Sequence, residues 1–286
     1  MSNNLNTALA QLPCFNQIKR IDSIESGLSQ QSFKVVTATK TYFAKTQEIA
    51  NHVAISVNSL AANKGISPVV IYQNKQWLVT EFIEGKALSA KENLNRTDKI
   101  KVAIDLMSQC HQLPAQLDGL APDTICAALI NEASLSFDKK NELRHAANEL
   151  LDTLKNAANA LNNQDVKAPL VCCHGDLNFC NIMVEQSNRP WLIDYECASL
   201  APAEFDIAMF IAINHLSSHE ALFAVQHYQQ HRNITLCEQL LQAYLTFCYF
   251  INGLWYFNAF TKNPQQNELR TLAFKQWQKI GISSDS

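Results

Sequence analysis

Four residues carry the chemistry legible in this chain: His174, Asp176, Asn181 and Asp194. The first three fall at the H-x-D-x-x-x-x-N spacing of a phosphotransfer catalytic loop. An aspartate can accept the proton of an attacking hydroxyl, and an asparagine with a second aspartate offers the hard oxygens that suit magnesium on ATP phosphates. Taken singly, each could be a turn or cap residue, because Asp and Asn are common at strand ends for local reasons. Their joint spacing decides for chemistry.

The elements around them must bring Asn181 beside Asp194. The runs NIMVE and PWLID, joined by a turn with Ser187, Asn188 and Pro190, form a hairpin that does so. Upstream, IKRIDSI, SFKVVTA, TYFAK, PVVIYQ and QWLVTEF predict a five-stranded antiparallel sheet. Its last two strands are joined at Asn74 and Lys75, and apolar residues at helical period over 48–63 predict one interrupting helix. After Gly85 the pattern is mainly helical, at about 97–113, 123–135 and 138–162, and again from Glu204 onward. The expectation is an α+β fold of two lobes: an N-terminal helical extension at 1–17, a nucleotide-binding lobe at 18–84, and a helical catalytic and substrate-binding lobe at 85–286.

At 286 residues, two lobes around a cleft are natural. The net charge of −3 argues against a general nucleic-acid binder. No signal peptide or membrane span is seen, so a cytoplasmic protein is expected, without nucleic-acid or membrane partners. The cysteine count of nine is odd and without C-x-x-C pairs, which favours reduced thiols, mostly in the core.

Through HGDLNFCN and LIDYE the sequence resembles the aminoglycoside phosphotransferase and choline kinase family, a branch of the protein-kinase-like fold, over roughly residues 20 to 280. The resemblance implies Asp176 as base, Asn181 and Asp194 as magnesium ligands, and ATP as donor. It makes Glu196 the acid that replaces the glycine of D-F-G, His174 a support, and Asp206 the brace of the catalytic loop. Gly27 and Ser29 would lie in a single-glycine turn over the phosphates, Lys45 would reach the α- and β-phosphates, and Glu81 and Ile83 would bind adenine through backbone groups. The usual carboxylate partner of Lys45 is in question, since only Glu48 is available, at the start of its helix.

The helix over 244–260 is rich in aromatics. Tyr244, Phe247, Ile251 and Leu254 follow core spacing, whereas Trp255 and Tyr256 could line a pocket for a cationic alcohol. With GLSQQSF, this helix looks most like bacterial thiamine kinases. Choline or ethanolamine kinases come next, although residues 207–219 lack the carboxylate typical of choline kinases, and aminoglycoside kinases follow. Three rivals remain. A catalytically dead nucleotide binder should have lost the base or a ligand. A nucleophilic cysteine at 172, 173 or 180 competes with simple packing. His215 with His219, and His227 with His231, could pair for zinc at i, i+4 spacing, but polar neighbours read as a solvated face.

Overall fold

The computed structural model describes residues 2–24, 31–47, 52–162 and 168–282. Five antiparallel strands, β1 (Ile18–Ile24), β2 (Ser32–Thr37), β3 (Thr41–Thr46), β4 (Val70–Gln73) and β5 (Trp77–Glu81), pair in the order β1-β2-β3-β5-β4. Alternation sets the faces: Phe33 and Val35 of β2 are buried, and they join Ala44, Trp77 and Val79 under α1 (Ser2–Ala10), whose Leu9 completes this small core. The expected strands are all present. The β4–β5 turn is one residue longer than the sequence suggested: the side chain of Asn74 accepts N–H bonds from Gln76 and Trp77, both at 2.8 Å, and so does the work a glycine would otherwise do. The helix interrupting the sheet is α2 (His52–Lys64).

The sheet leads into β6 (Gly85–Ala87), a strand too short to read from the sequence. It pairs with β8 (Ile182–Glu185), which pairs with β9 (Pro190–Leu192), so the crossing between lobes is stitched to the hairpin that bears Asn181 and Asp194. Gly85 permits this approach, since a Cβ there would stand 2.2 Å from the carbonyl oxygen of Val184. A second unforeseen strand, β10 (Ser199–Pro202), pairs with β7 (Leu170–Cys173) and fixes the entry to the loop that begins at His174.

The rest is helical: α3 (Arg96–Cys110), α4 (Pro122–Glu132), α5 (Phe137–Asn162), α6 (Ala203–Ile213), α7 (Ser218–Arg232), α8 (Glu238–Lys262) and α9 (Asn267–Gln278). Starts follow local chemistry, with Asn95 capping α3 and a Ser217–Glu220 capping box opening α7. Helix α6 is apolar on all sides and lies in the middle of the lobe, where even Glu204 and Asp206 are buried. Glu204 accepts the N–H of Cys237 and thereby caps α8. Tyr244, Phe247, Ile251 and Leu254 are core residues, as their spacing implied. Among the described residues no helix is long and apolar enough to cross a membrane.

Helix α9 packs on α8 at Gly253, where a Cβ would meet the Trp277 indole nitrogen at 2.1 Å. That indole N–H donates to the Phe250 carbonyl at 3.3 Å. Gly253→Ala gains about 1 kcal/mol of helix propensity. It also overpacks the contact at about 1–3 kcal/mol and displaces a buried donor worth a similar amount. A net loss of about 1–5 kcal/mol is therefore expected in urea unfolding; an unchanged midpoint would refute it.

Candidate active site

Strand β7 delivers the chain to His174, and Gly175 then turns with φ +77° against the Cys197 carbonyl, which a Cβ would approach to 2.3 Å. No other residue fits there without moving backbone. The loop is held from below by Asp206 on α6. Its fully buried carboxylate accepts the N–H of His174 at 2.9 Å, the N–H of Gly175 at 2.8 Å and a bond from His111 Nε2 at 2.8 Å. Burial pushes the Asp206 carboxyl up, but bonds from His111 and the His174 backbone outweigh it and hold the group below the usual carboxylate range. His111 Nδ1 in turn meets the Tyr228 hydroxyl at 2.6 Å.

The His174 ring is locked in one tautomer. Its Nε2–H donates to the Ile193 carbonyl at 2.9 Å, and its Nδ1 accepts the Asp176 N–H at 3.3 Å. The ring rests on Tyr195, whose hydroxyl bonds Ser67 at 2.6 Å. Both ring nitrogens of His174 are thus used in holding the loop.

Asp176 is gripped by two side-chain amides. Asn181 Nδ2 donates to Oδ2 at 2.9 Å and to the Asp176 carbonyl at 2.8 Å, while Asn178 Nδ2 donates to Oδ1 at 3.3 Å. Burial, reinforced by the nearby negative charge of Asp194, raises the Asp176 carboxyl above its ordinary value, against the opposing pull of His174 and the two amides. Because the amide nitrogen of Asn181 is used on Asp176, its oxygen is the group offered outward. The N–H of Ile193 bonds the Asn181 carbonyl at 3.0 Å and so brings the next residue, Asp194, alongside. Asp194 adopts a left-handed conformation at φ +71°, uncommon for a residue with a side chain and typical of functional turns. An amide oxygen and a carboxylate placed together are a donor set of the hard kind that magnesium takes.

Lys45 reaches across from β3. Its ammonium lies 2.8 Å from Asp194 Oδ1 and 2.6 Å from Glu196 Oε1. Burial lowers the Lys45 pKa, but the two carboxylates outweigh it and the net shift is upward. Its carboxylate partners are therefore in the far lobe; Glu48, the sequence's nearest offer, lies outside the described residues, as do Gly27 and Ser29. Glu81 ends β5, donates its N–H to Val69 at 3.0 Å and pairs its side chain with Lys40 at 3.4 Å; Ile83 follows as the chain leaves the sheet. Burial raises the Tyr256 hydroxyl above its ordinary value, and the Asp176 carboxylate adds to that rise. Trp255, 44% exposed, meets Tyr256 edge-on at 5.3 Å.

Sequence reading missed Asn178, His111, Asn214 and Tyr228. Asn178 had a signal: its Oδ1 caps the short turn after it by accepting the N–H groups of Cys180 and Asn181, an Asx motif. Asn214, at the end of α6, bonds the Leu177 carbonyl and the Phe179 N–H, both at 3.0 Å. His111 and Tyr228 lie far away in sequence and had none. Among the rivals, Cys172 and Cys173 are buried in β7, and burial raises the Cys173 thiol well above its usual value, which leaves little thiolate to act as nucleophile. His215 sits in a left-handed turn ahead of α7 and shares no helix face with His219.

The sequence profile described as the phosphotransferase enzyme family matches residues 20–244. No curated protein matches the chain in sequence. In fold it is similar to an ethanolamine kinase from Plasmodium vivax, with a TM-score of 0.69 at 18% identity over 92% of this chain and 82% of that one. It is also similar to choline kinase LicA from Streptococcus pneumoniae, with a TM-score of 0.69 at 16% identity over 98% and 99% of the two chains. Spectinomycin phosphotransferase APH(9)-Ia, in complex with ADP and spectinomycin, gives 0.59 at 17% identity over 93% and 90%.

Proposed function

The chain belongs to the phosphotransferase enzyme family, and from that premise we propose that it transfers the γ-phosphate of ATP to the hydroxyl of a small cationic alcohol, with thiamine the leading candidate. One observation carries this reading: Asn181 binds Asp176 through its amide nitrogen and sits next to Asp194 through the hairpin, so base and metal ligands form one hydrogen-bonded unit. Asp176 accepts the proton of the attacking alcohol. Its raised pKa makes its carboxylate a better base.

Asn181 Oδ1 and Asp194 would hold Mg²⁺, which when bound neutralises charge on the phosphates. Lys45 supplies a fixed positive charge next to Asp194 for the α- and β-phosphates, with Glu196 setting its position. His174 and Asp206 keep the loop in shape. Gly27 and Ser29 are assigned to the phosphates. Adenine is assigned to the Glu81 carbonyl and the Ile83 N–H, since the Glu81 N–H is already used in the sheet. In this reading residues 18–84 form the nucleotide lobe, 85–286 the catalytic one, and 1–17 an extension.

For the acceptor, Tyr256, whose hydroxyl responds to the charge of Asp176, and the adjoining Trp255 offer π faces to a cation. The structural relatives include an ethanolamine and a choline kinase, which keeps those alcohols next in rank, ahead of aminoglycosides. A nucleotide-binding but inactive protein is disfavoured because Asp176, Asn181 and Asp194 are all present. ADP release should be measured with thiamine, choline, ethanolamine, homoserine and kanamycin. Stimulation of at least tenfold by a cationic alcohol is expected, and none by any of the panel would remove the cationic-acceptor reading.

A further inference from the structure

Helices α3 and α7 carry a second cluster of metal-binding side chains, on elements that do not bear the catalytic loop. Asp105 Oδ1 of α3 lies 2.9 Å from His227 Nε2 and 3.4 Å from His231 Nδ1, both on α7. The three ligand atoms all fall within 4.8 Å of one another. Zinc bonds of about 2.0–2.2 Å at tetrahedral angles place ligand atoms about 3.3 Å apart, so the two spacings from Asp105 need only small adjustment. The sequence showed the two histidines one helical turn apart, but the carboxylate that completes the set arrives from another helix, more than a hundred residues earlier.

We propose that Asp105, His227 and His231 form a binding site for a borderline transition-metal dication of the zinc class, with water in the fourth position. The donors argue for that class: two imidazoles and one carboxylate suit zinc, cobalt or nickel, whereas magnesium and calcium take oxygen. The scaffold is already in place. Both imidazoles stand on one rigid helix, and the His227 ring stacks on Phe223 with centroids 5.9 Å apart and planes 9° apart, which fixes its orientation. Side-chain exposures of 24% for His227, 44% for Asp105 and 45% for His231 give the ion an entry path and solvent for the open position. The site clamps the two helices that also hold His111, at the end of α3, and Tyr228, next to His227, so binding stiffens the support beneath Asp206.

The test uses the full chain, stripped of metal and free of nucleotide, titrated with zinc chloride alone and compared with His231→Ala and Asp105→Asn. Both substitutions are at half-exposed positions, and equal melting temperatures in chelator confirm that the variants fold. Wild type should take up one zinc per chain and melt higher with it. Either substitution should weaken binding at least tenfold, and excess magnesium should not displace the ion. A cobalt(II) substitute should give a tetrahedral spectrum without a thiolate charge-transfer band, which separates this site from the exposed thiols of Cys180 and Cys197. No uptake by wild type, uptake undiminished by both substitutions, or a dominant thiolate band would each overturn the assignment.

Discussion

Asp176→Asn should lower kcat by about 10²–10⁴-fold, the range general-base catalysis supplies, while melting temperature and ATP affinity stay near wild type. The substitution is nearly isosteric. The substituted amide can turn its oxygen to the 2.9 Å bond from Asn181 and sacrifice only the longer 3.3 Å bond from Asn178. The loop therefore keeps its shape while the proton acceptor is lost. In wild type, the acid limb of kcat/KM should begin above the pH of an ordinary aspartate, about 3.9, because burial and Asp194 raise the Asp176 carboxyl. Steady-state ADP release across pH checks both points; activity within threefold of wild type would remove Asp176 from the base role.

Asp206→Ala should be the most destabilising single change at the site. It leaves the N–H groups of His174 and Gly175 and a nitrogen of His111 without their acceptor in a fully buried place. Each such group costs about 1–3 kcal/mol, so a loss of at least ~3 kcal/mol is expected in urea unfolding, together with loss of activity as the loop slackens. Asp206→Asn retains one oxygen and should lose less. Linkage gives a second signature. The folded carboxyl titrates below its unfolded value near 3.9, so the unfolded chain binds the proton more tightly. This contribution is fully present above about pH 4 and is lost as pH falls through the lower folded value. Wild type should show that loss as pH falls below about 4, and Asp206→Ala should not. A variant as stable as wild type at pH 7 would refute the bracing role.

The fold was legible where local patterns carry it. Period-two runs marked β1 to β5, and the helical period marked α3, α4 and α5 to within a few residues. Strands β6 and β10 were missed because three or four residues hold too little pattern, and they exist only through partners such as β8 and β7. At the site, spacing and the hairpin implied that Asn181 and Asp194 would be neighbours, and the ladder bond from Ile193 makes them so. The partners of Lys45 were not legible, because Asp194 is 149 residues further along the chain, with Glu196 just beyond it, and only the fold brings them together. The same holds for His111 beneath Asp206 and for Asp105 facing His227. In each case the partner is chosen by packing, at a sequence distance where pattern carries no information.

The central claim concerns where the phosphate goes. Phosphorus NMR of a reaction containing the protein, magnesium, ATP and the acceptor that best stimulates ADP release measures this directly. A phosphomonoester of the alcohol should appear in step with ADP, one for one. ADP accompanied only by inorganic phosphate, or no ADP with any hydroxyl acceptor, would contradict the account.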